Sequence, residues 1–412
     1  MKILIVCQYF HPEQFRINDM TCELAKAGHQ VSVLTGIPNY PSGRFFPGYG
    51  LRRKRDEDYF GVTVKRVPII PRGQGRGFEL AINYLSFAIT GALAAMRVRK
   101  GDYDVVLVYQ LSPVTMAIPG VVAAHRAKAS LVQYVADLWP ESLSAGGGVG
   151  NKIVLGLVGK VVDRIYRRCS SIWVTSEGFI TPILNRGVPR RKLEYMPQYP
   201  ESVYRPVSVC ESDAIRREIP EGFIVVFTGN IGEAQGLEVA IEAAGFLSSF
   251  EAIHWVIIGD GRAREKILRM SEERGLSGKV LFLGKKPMEE IPLYLSLADI
   301  ALLCLRPEPL FELTLPAKLQ SYLACGMPIV GCIDGDAARV IRESGSGLVG
   351  PAGDARRLAD NVLSLYRAGD GELKRRSGNA LRYFEANFKK EIVINKIELG
   401  LAAAAARRSG DA

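Results

Sequence analysis

Short apolar, largely β-branched runs alternate along this chain with longer stretches whose apolar positions recur at helical spacing. In the first half, Ile3 to Val6, Val31 to Thr35, Val62 to Val67, Val105 to Tyr109, Leu131 to Val135 and Ile172 to Thr175 read as strands. Runs this apolar, separated by helices, predict a parallel sheet covered on both faces. From Pro197 to Pro220 the pattern stops, and four prolines among charged residues mark a linker. It resumes with strands predicted at Ile224 to Phe227, Trp255 to Ile258, Val280 to Leu283, Ile300 to Cys304 and Pro328 to Gly331. The tail from Leu401 to Ala412 reads as the fraying end of a helix.

The restart is the most informative stretch. From Phe223 to Ala243 a buried strand, a glycine-rich turn and an amphipathic helix follow one another. Gly229, Gly232 and Gly236 suit close approach of backbone N–H groups and a helix N-terminus to an anion such as phosphate. A strand, loop and helix near Asn18 also open the chain, so two nucleotide-binding-type α/β domains with a cleft between them are expected. The 412 residues suit two domains of about 200 each.

Leu80 to Met96 has no charged residue and is flanked by Arg72, Arg76, Arg97, Arg99 and Lys100, as a membrane span would be. As a helix those 17 residues reach only about 26 Å, short of a ~30 Å hydrocarbon core, and Asn83 interrupts them. A crossover helix between parallel strands is expected here, buried or docked on an anionic membrane surface.

Composition narrows the class. A 48% hydrophobic and 23% charged chain is globular, and the net charge of +10 calls for an anionic partner: a phosphorylated substrate, nucleic acid or acidic lipid. Seven cysteines, Cys7, Cys22, Cys169, Cys210, Cys304, Cys325 and Cys332, form no C-x-x-C pair and read as reduced and structural. The four histidines show no metal-ligand spacing, so no metal site is expected.

Residues able to do chemistry cluster after predicted strands, where open α/β sheets bind ligands. After Leu305 comes a polar loop with Glu308 and Glu312, then a helix opening at Pro316. Lys318 falls in its first turn, unfavourable to the helix dipole unless an anion is near, and so is a candidate diphosphate contact or else an exposed lysine. After Val135 come Asp137, Trp139, Glu141 and the glycines Gly146, Gly147 and Gly148. Asp137 either orients a hydroxyl or caps a helix; Trp139 either stacks on a sugar or fills the core. In the opening loop Arg16 and Asn18 stand at a helix start, and G-x-G-x-x-G is missing.

Six stretches together, Gln8 to Asp19, Leu34 to Pro41, Tyr109 to Thr115, Asp137 to Leu143, Phe227 to Gly232 and Leu323 to Val330, resemble family 4 of the retaining, nucleotide-sugar-dependent glycosyltransferases. Within it the chain is most similar to the WbuB-like branch of bacterial surface polysaccharide synthesis, over almost its whole length. The resemblance implies a GT-B fold of two Rossmann-like doubly wound domains: residues 1–198 for the acceptor, a linker at 199–221, residues 222–385 for the donor, and a last helix at 386–408 returning to the first domain. It further implies a UDP-sugar donor, no metal or other cofactor, and a polyprenyl-diphosphate-linked saccharide acceptor. It places the protein on the anionic inner face of the cytoplasmic membrane and makes nucleic acid an unexpected partner.

Residue by residue, the resemblance implies catalytic roles for Asp137 and Lys318. Donor contacts are expected from Gly229, Asn230, Gly232, Gln235, Gly259 and Gly284, and from Lys285, Glu312, Thr314 and Ser321. Acceptor contacts are expected from Arg16, Asn18, Tyr40, Gln110, Trp139 and Glu141. Three departures stand out. Many members carry an arginine and a lysine where this chain has Asn230 and Gln235. The second glutamate of the family's E-x7-E pair falls at Ser321 and the first near Leu313, beside Glu312. A histidine common in the acceptor domain aligns with Ala136. Two rival classes follow: a catalytically silent GT-B partner subunit, which the eroded pair would suit, and a nicotinamide-dependent oxidoreductase, which the missing fingerprint opposes.

Overall fold

The computed structural model describes residues 1–53, 55–145, 149–209 and 214–410. Gly146, Gly147, Gly148 and Cys210 lie outside the described residues. The chain divides into two compact units, Met1–Met196 with Ile394–Ala412, and Pro197–Val393.

In the first unit the described residues form β1 (Lys2–Val6), β2 (Gln30–Gly36), β3 (Asp56–Tyr59), β4 (Val62–Val67), β5 (Val105–Gln110), β6 (Ser130–Val135), β7 (Ser171–Val174) and β8 (Leu193–Tyr195). Their order across the sheet is β3-β4-β2-β1-β5-β6-β7-β8, parallel except for β3 against β4. Every residue of β5, β6 and β7 is buried, as expected of central strands covered by helices on both faces. Helix Lys390–Gly410 belongs to this unit from Ile394 onward: the Ala404 carbonyl accepts from Ser130 Oγ at 2.7 Å, and Glu398 pairs with His29 at 3.0 Å.

The second unit carries β9 (Phe223–Thr228), β10 (Ile253–Ile258), β11 (Val280–Gly284), β12 (Ile300–Cys304), β13 (Ile329–Cys332) and β14 (Gly347–Gly350), all parallel in the order β11-β10-β9-β12-β13-β14. Alternate residues of β9 enter separate cores: Phe223, Val225 and Phe227 on one face, Ile224 and Val226 on the other. Both sheets reverse direction of growth once, at β1/β5 and at β9/β12, and the crevice beyond the strand ends at such a switch is where doubly wound sheets take ligands.

Three strands escape the hydrophobic pattern. β3 is Asp-Glu-Asp-Tyr on an edge, β8 has three residues, and β14 is bracketed by glycines. The linker also departs from expectation. Residues from Pro197 on group with the second unit, where Glu218 of the turn Ala214–Glu218 bonds Lys286 at 2.6 Å and Tyr294 at 3.1 Å. The last helix begins at Lys390, after a long helix, Ala355–Asn387, that bends at Gly369. The charge-free stretch is helix Gly77–Ala95, and Asn83 inside it is fully buried, accepting from Gln8 Nε2 at 2.7 Å and donating to the Ile70 carbonyl at 2.5 Å.

Candidate active site

In the second unit the loop after β9 and the connection after β12 meet at the switch point. Gly229 N–H donates to the Ile258 carbonyl at 2.9 Å and Ile231 N–H to the Asp260 carbonyl at 2.8 Å, so the loop continues the ladder toward β10. A Cβ on Gly259 would stand 1.8 Å from the Gly229 carbonyl oxygen, so only glycine permits this approach. From the other side Arg306 N–H donates to the Ala234 carbonyl at 3.0 Å, and its guanidinium reaches Glu233 and Glu238.

Lys318 stands in the first turn of helix Ala317–Ala324, which has no acidic residue and no side-chain cap at its N-terminus. Its stem runs past Gly229, its Nζ lies 3.9 Å from the centre of the Phe227 ring, and it donates to Gln235 Oε1. Both contacts are uncharged, and no described carboxylate forms an ion pair with it. The residue as a whole is half-buried while its ammonium end is enclosed, and this burial pulls its pKa down from 10.5 to about 7. The cation thus rests against Gln235, one of the two loop positions where the resemblance leads one to expect a basic residue. By contrast the N-terminus of helix Glu238–Phe246, expected to face an anion, already has Glu238, tied to Lys266 at 2.6 Å and Arg306 at 3.1 Å.

Gly229, Asn230, Gly232, Gln235, Gly259 and Lys318 are therefore gathered at one crevice. Glu312 is exposed at the end of the short helix Pro309–Glu312, and Thr314 follows, its hydroxyl donating to the Leu310 carbonyl at 2.8 Å. Ser321 departs from expectation: only 7% exposed, it turns its hydroxyl back to the Ala317 carbonyl, which does not suit a ribose contact. Gly284 ends the outer strand β11 and its carbonyl accepts from the Gly259 N–H at 2.8 Å, which joins it to the same crevice, and Lys285 follows it.

In the first unit the strand-end loops converge on Asp137. Its Oδ2 accepts from Ser112 Oγ at 2.7 Å and Trp139 Nε1 at 3.1 Å, and its Oδ1 from Ser142 Oγ. Gln110, fully buried, donates to the Asp137 carbonyl at 2.8 Å and so holds this loop from beneath rather than reaching a ligand. Trp139 is 6% exposed: it fixes Asp137 and offers no open face for stacking. Glu141 pairs with Arg186 at 3.3 Å, and Arg186 also holds Asp163 at 3.0 Å.

Arg16 begins helix Arg16–Lys26, while Asn18 clamps the preceding loop, accepting from His11 N–H at 3.1 Å and donating to the Glu13 carbonyl at 2.7 Å. Tyr40 lies against Tyr9, Phe15 and the Arg72 guanidinium. The sequence reading missed two residues here. Tyr84, from helix Gly77–Ala95, feels the charges of Arg72 and Asp137 beside Tyr9 and Tyr40, and burial raises its phenol pKa. Glu13, 1% exposed, accepts from the backbone N–H groups of Phe10, Asn39 and Tyr40 at 3.1, 2.8 and 2.7 Å; burial lifts its carboxyl to about 7 against these bonds and nearby Arg66. An acid between aromatics in a strand-end loop was the available signal for Glu13; Tyr84 had none beyond helical phase. Among the described residues no group of three or more His, Cys, Asp or Glu side chains is placed to share a metal ion.

Two doubly wound domains, each with polar residues collected at its switch point, define a two-domain α/β protein whose ligand sites lie beyond the strand ends. The chain belongs to the glycosyltransferases: residues 14–198 match the family of the glycosyl transferase 4-like domain, and residues 211–382 that of glycosyl transferases group 1. It is 27% identical over 340 residues to the colanic acid biosynthesis glycosyl transferase WcaI of Escherichia coli K12, spanning 79% of this chain and 82% of that one. Its fold is that of sucrose-phosphate synthase from Thermosynechococcus elongatus (TM-score 0.77, 16% identity, 98% and 99% of the two chains). It is also that of Anabaena HepE in complex with UDP-glucose (TM-score 0.68, 16% identity, 98% and 100%), so both domains follow the GT-B plan.

Proposed function

We propose that this glycosyltransferase moves a sugar, with retention, from a UDP-sugar to a lipid-linked saccharide in the synthesis of O-antigen, capsule or exopolysaccharide. An N-acetylated or deoxy hexose is the transferred group we infer. The observation that carries the reading is Lys318: an enclosed ammonium at the β9/β12 switch whose partners are an amide and an aromatic ring. Such a cation lacks a counter-charge, and the diphosphate of a nucleotide-sugar supplies one. UDP complexes of HepE and the name of WcaI support the donor and the pathway.

In the mechanism we infer, the acceptor hydroxyl attacks from the face that UDP leaves, and a departing phosphate oxygen takes its proton. Lys318, the uncapped helix N-terminus at Ala317 and the backbone around Gly229 would stabilise the charge gathering on the diphosphate, without a metal. Asp137, fixed by Ser112, Trp139 and Ser142, would orient the acceptor hydroxyl through the remaining lone pair of Oδ1. The acceptor we propose is polyprenyl-diphosphate-linked, which sets the enzyme on the inner face of the cytoplasmic membrane.

UDP release from a panel of UDP-sugars, measured in EDTA with and without membrane lipid extract, tests this. Release that needs one donor and the lipid supports it; release abolished by EDTA overturns the metal-free mechanism. The second reading, a silent partner subunit, is favoured by the burial of Ser321, and UDP binding without turnover would establish it.

A further inference from the structure

Three helices of the first unit share an unusual outer surface. Helix Gly77–Ala95 packs on helix Ala117–Ala127, which packs on helix Lys152–Arg168. All three connect strands of one parallel sheet and so run in the same sense. On the first, Phe78, Leu85, Ile89 and Leu93 are each more than half exposed; on the third, Ile153 and Leu157 are 74% and 58% exposed. Between them Ile118 and Val122 are half-buried. Apolar surface of this extent on a soluble domain marks an interaction face.

Each helix turns from apolar to basic toward its C-terminus. On the third, the exposed positions Ile153, Leu157, Lys160, Arg164 and Arg168 follow at spacings of three and four, so one face carries the whole gradient. The first ends in Arg97, Arg99 and Lys100, the second in His125, Arg126 and Lys128. Gly101 N–H donates to the Ala127 carbonyl at 3.1 Å, and Arg126 Nε to the Val98 carbonyl at 3.3 Å, which brings the first two ends together.

The second and third ends border a groove of about 1010 Å³ lined by Arg126, Lys128, Arg167, Arg168, Arg191 and Lys192, with Arg407 from the last helix and no carboxylate. The dipoles of the helix ends account for cations in their last turns. They do not account for Arg191 and Lys192, which come from the turn before β8. This groove borders the strand ends opposite those that lead to Asp137, since Ser130 and Ser170 line it.

We propose that this three-helix face is a docking surface for an anionic lipid bilayer. Phe78, Leu85, Ile89, Ile153 and Leu157 sink to the level of the upper acyl chains, while the basic helix ends and the groove bind lipid phosphates. An apolar patch graded into cations is complementary to an anionic leaflet on both counts. Helix Gly77–Ala95 lies on the bilayer rather than across it, because buried Asn83 pins its inner face to Gln8 and Ile70. The proposal deepens the membrane-attached reading above and rests on it.

Flotation of the full chain with phosphatidylcholine vesicles, with and without phosphatidylglycerol, tests the surface. The wild type is expected to float with the anionic vesicles and to be released by salt. Arg167→Glu/Arg168→Glu should weaken this by about tenfold or more, and Leu85→Glu/Ile89→Glu should abolish it. Leu399→Glu, a comparably exposed position on the last helix, should float like wild type. Circular dichroism and UDP-sugar binding without vesicles should be unchanged in all of them, which separates lost docking from lost folding. The proposal is overturned if the wild type does not prefer anionic vesicles or if Leu85→Glu/Ile89→Glu floats normally. It is also overturned if light scattering shows a dimer that this variant dissociates while the wild type ignores vesicles. The vesicles contain no saccharide, so flotation and donor-dependent UDP release fail independently.

Discussion

The two switch points are built oppositely. In the first unit the central carboxylates are held by many hydrogen bonds: Asp137 accepts from three side chains, and Glu13 from three backbone N–H groups. In the second the central charge, Lys318, has only an amide and a ring, and burial has brought its pKa to about 7. A hydrogen-bonded carboxylate gives a loop of fixed shape, whereas an uncompensated cation gives a site whose electrostatics are completed by its ligand. The difference matches the division of labour proposed above: geometry for the acceptor hydroxyl, charge for the leaving diphosphate.

The largest expected effect breaks the second site alone. Lys318→Met keeps the apolar stem and removes the charge; it should lower the rate of UDP release by roughly 10²–10³ while thermal stability near pH 7 holds or rises, because the buried ammonium disfavours the fold there. A loss below tenfold would mean that the diphosphate charge is met elsewhere. Gly259→Ala should act on structure instead. Its Cβ would meet the Gly229 carbonyl oxygen at φ 149°, so we expect a loss of roughly 2–4 kcal/mol in urea unfolding of the second unit.

Most of the fold was legible because it rests on apolar runs with both faces covered, and β4 and β12 span the residues their hydrophobic pattern predicts. What escaped was structure that does not rest on burial of apolar side chains: acidic β3, and β14, whose Gly347 admits the Ile329 backbone and whose Gly350 admits the Arg357 side chain. The site was legible where a loop follows a strand. It was not legible where a side chain arrives from elsewhere in the sequence, as Tyr84 does at Tyr9 and Lys318 does at Gln235, because such proximity is set by packing. Spacing also could not show that Gln110 and Ser321 turn into the interior, since hydrogen-bonding residues at strand ends serve loops as readily as ligands.

Glu13→Gln sharpens the comparison from the other side. Glutamine sets its amide donor against at least one of the three N–H groups, so the first unit should lose about 1–3 kcal/mol, read by urea unfolding, with UDP-sugar binding unchanged. A weakened UDP-sugar affinity would show that the two sites are not separable.

Titration separates them again. Lys318 binds fewer protons folded than unfolded between pH 7 and 10.5, so its contribution to stability rises with pH across that window. A bound diphosphate favours the charged form. UDP-glucose affinity should therefore be greatest below pH 7 and fall by up to about tenfold per pH unit above it. Calorimetry in buffers of different ionisation enthalpy should show proton uptake on binding near pH 8, absent in Lys318→Met. Uptake that persists in the variant would place the titrating group elsewhere.

The smallest effect tests whether Asp137 owes its position to hydrogen bonds or to packing. Trp139→Phe keeps a buried ring but removes the Nε1–H shared by Asp137 and Ser112, at 3.1 and 3.2 Å. Ser112 and Ser142 still hold the carboxylate, so stability should fall by only about 1 kcal/mol. If Asp137 orients the acceptor, the reduced constraint should appear as a lower kcat with lipid acceptor at unchanged KM for the donor. An unchanged kcat would mean that the two serines suffice, and that the indole was selected to fill the interior.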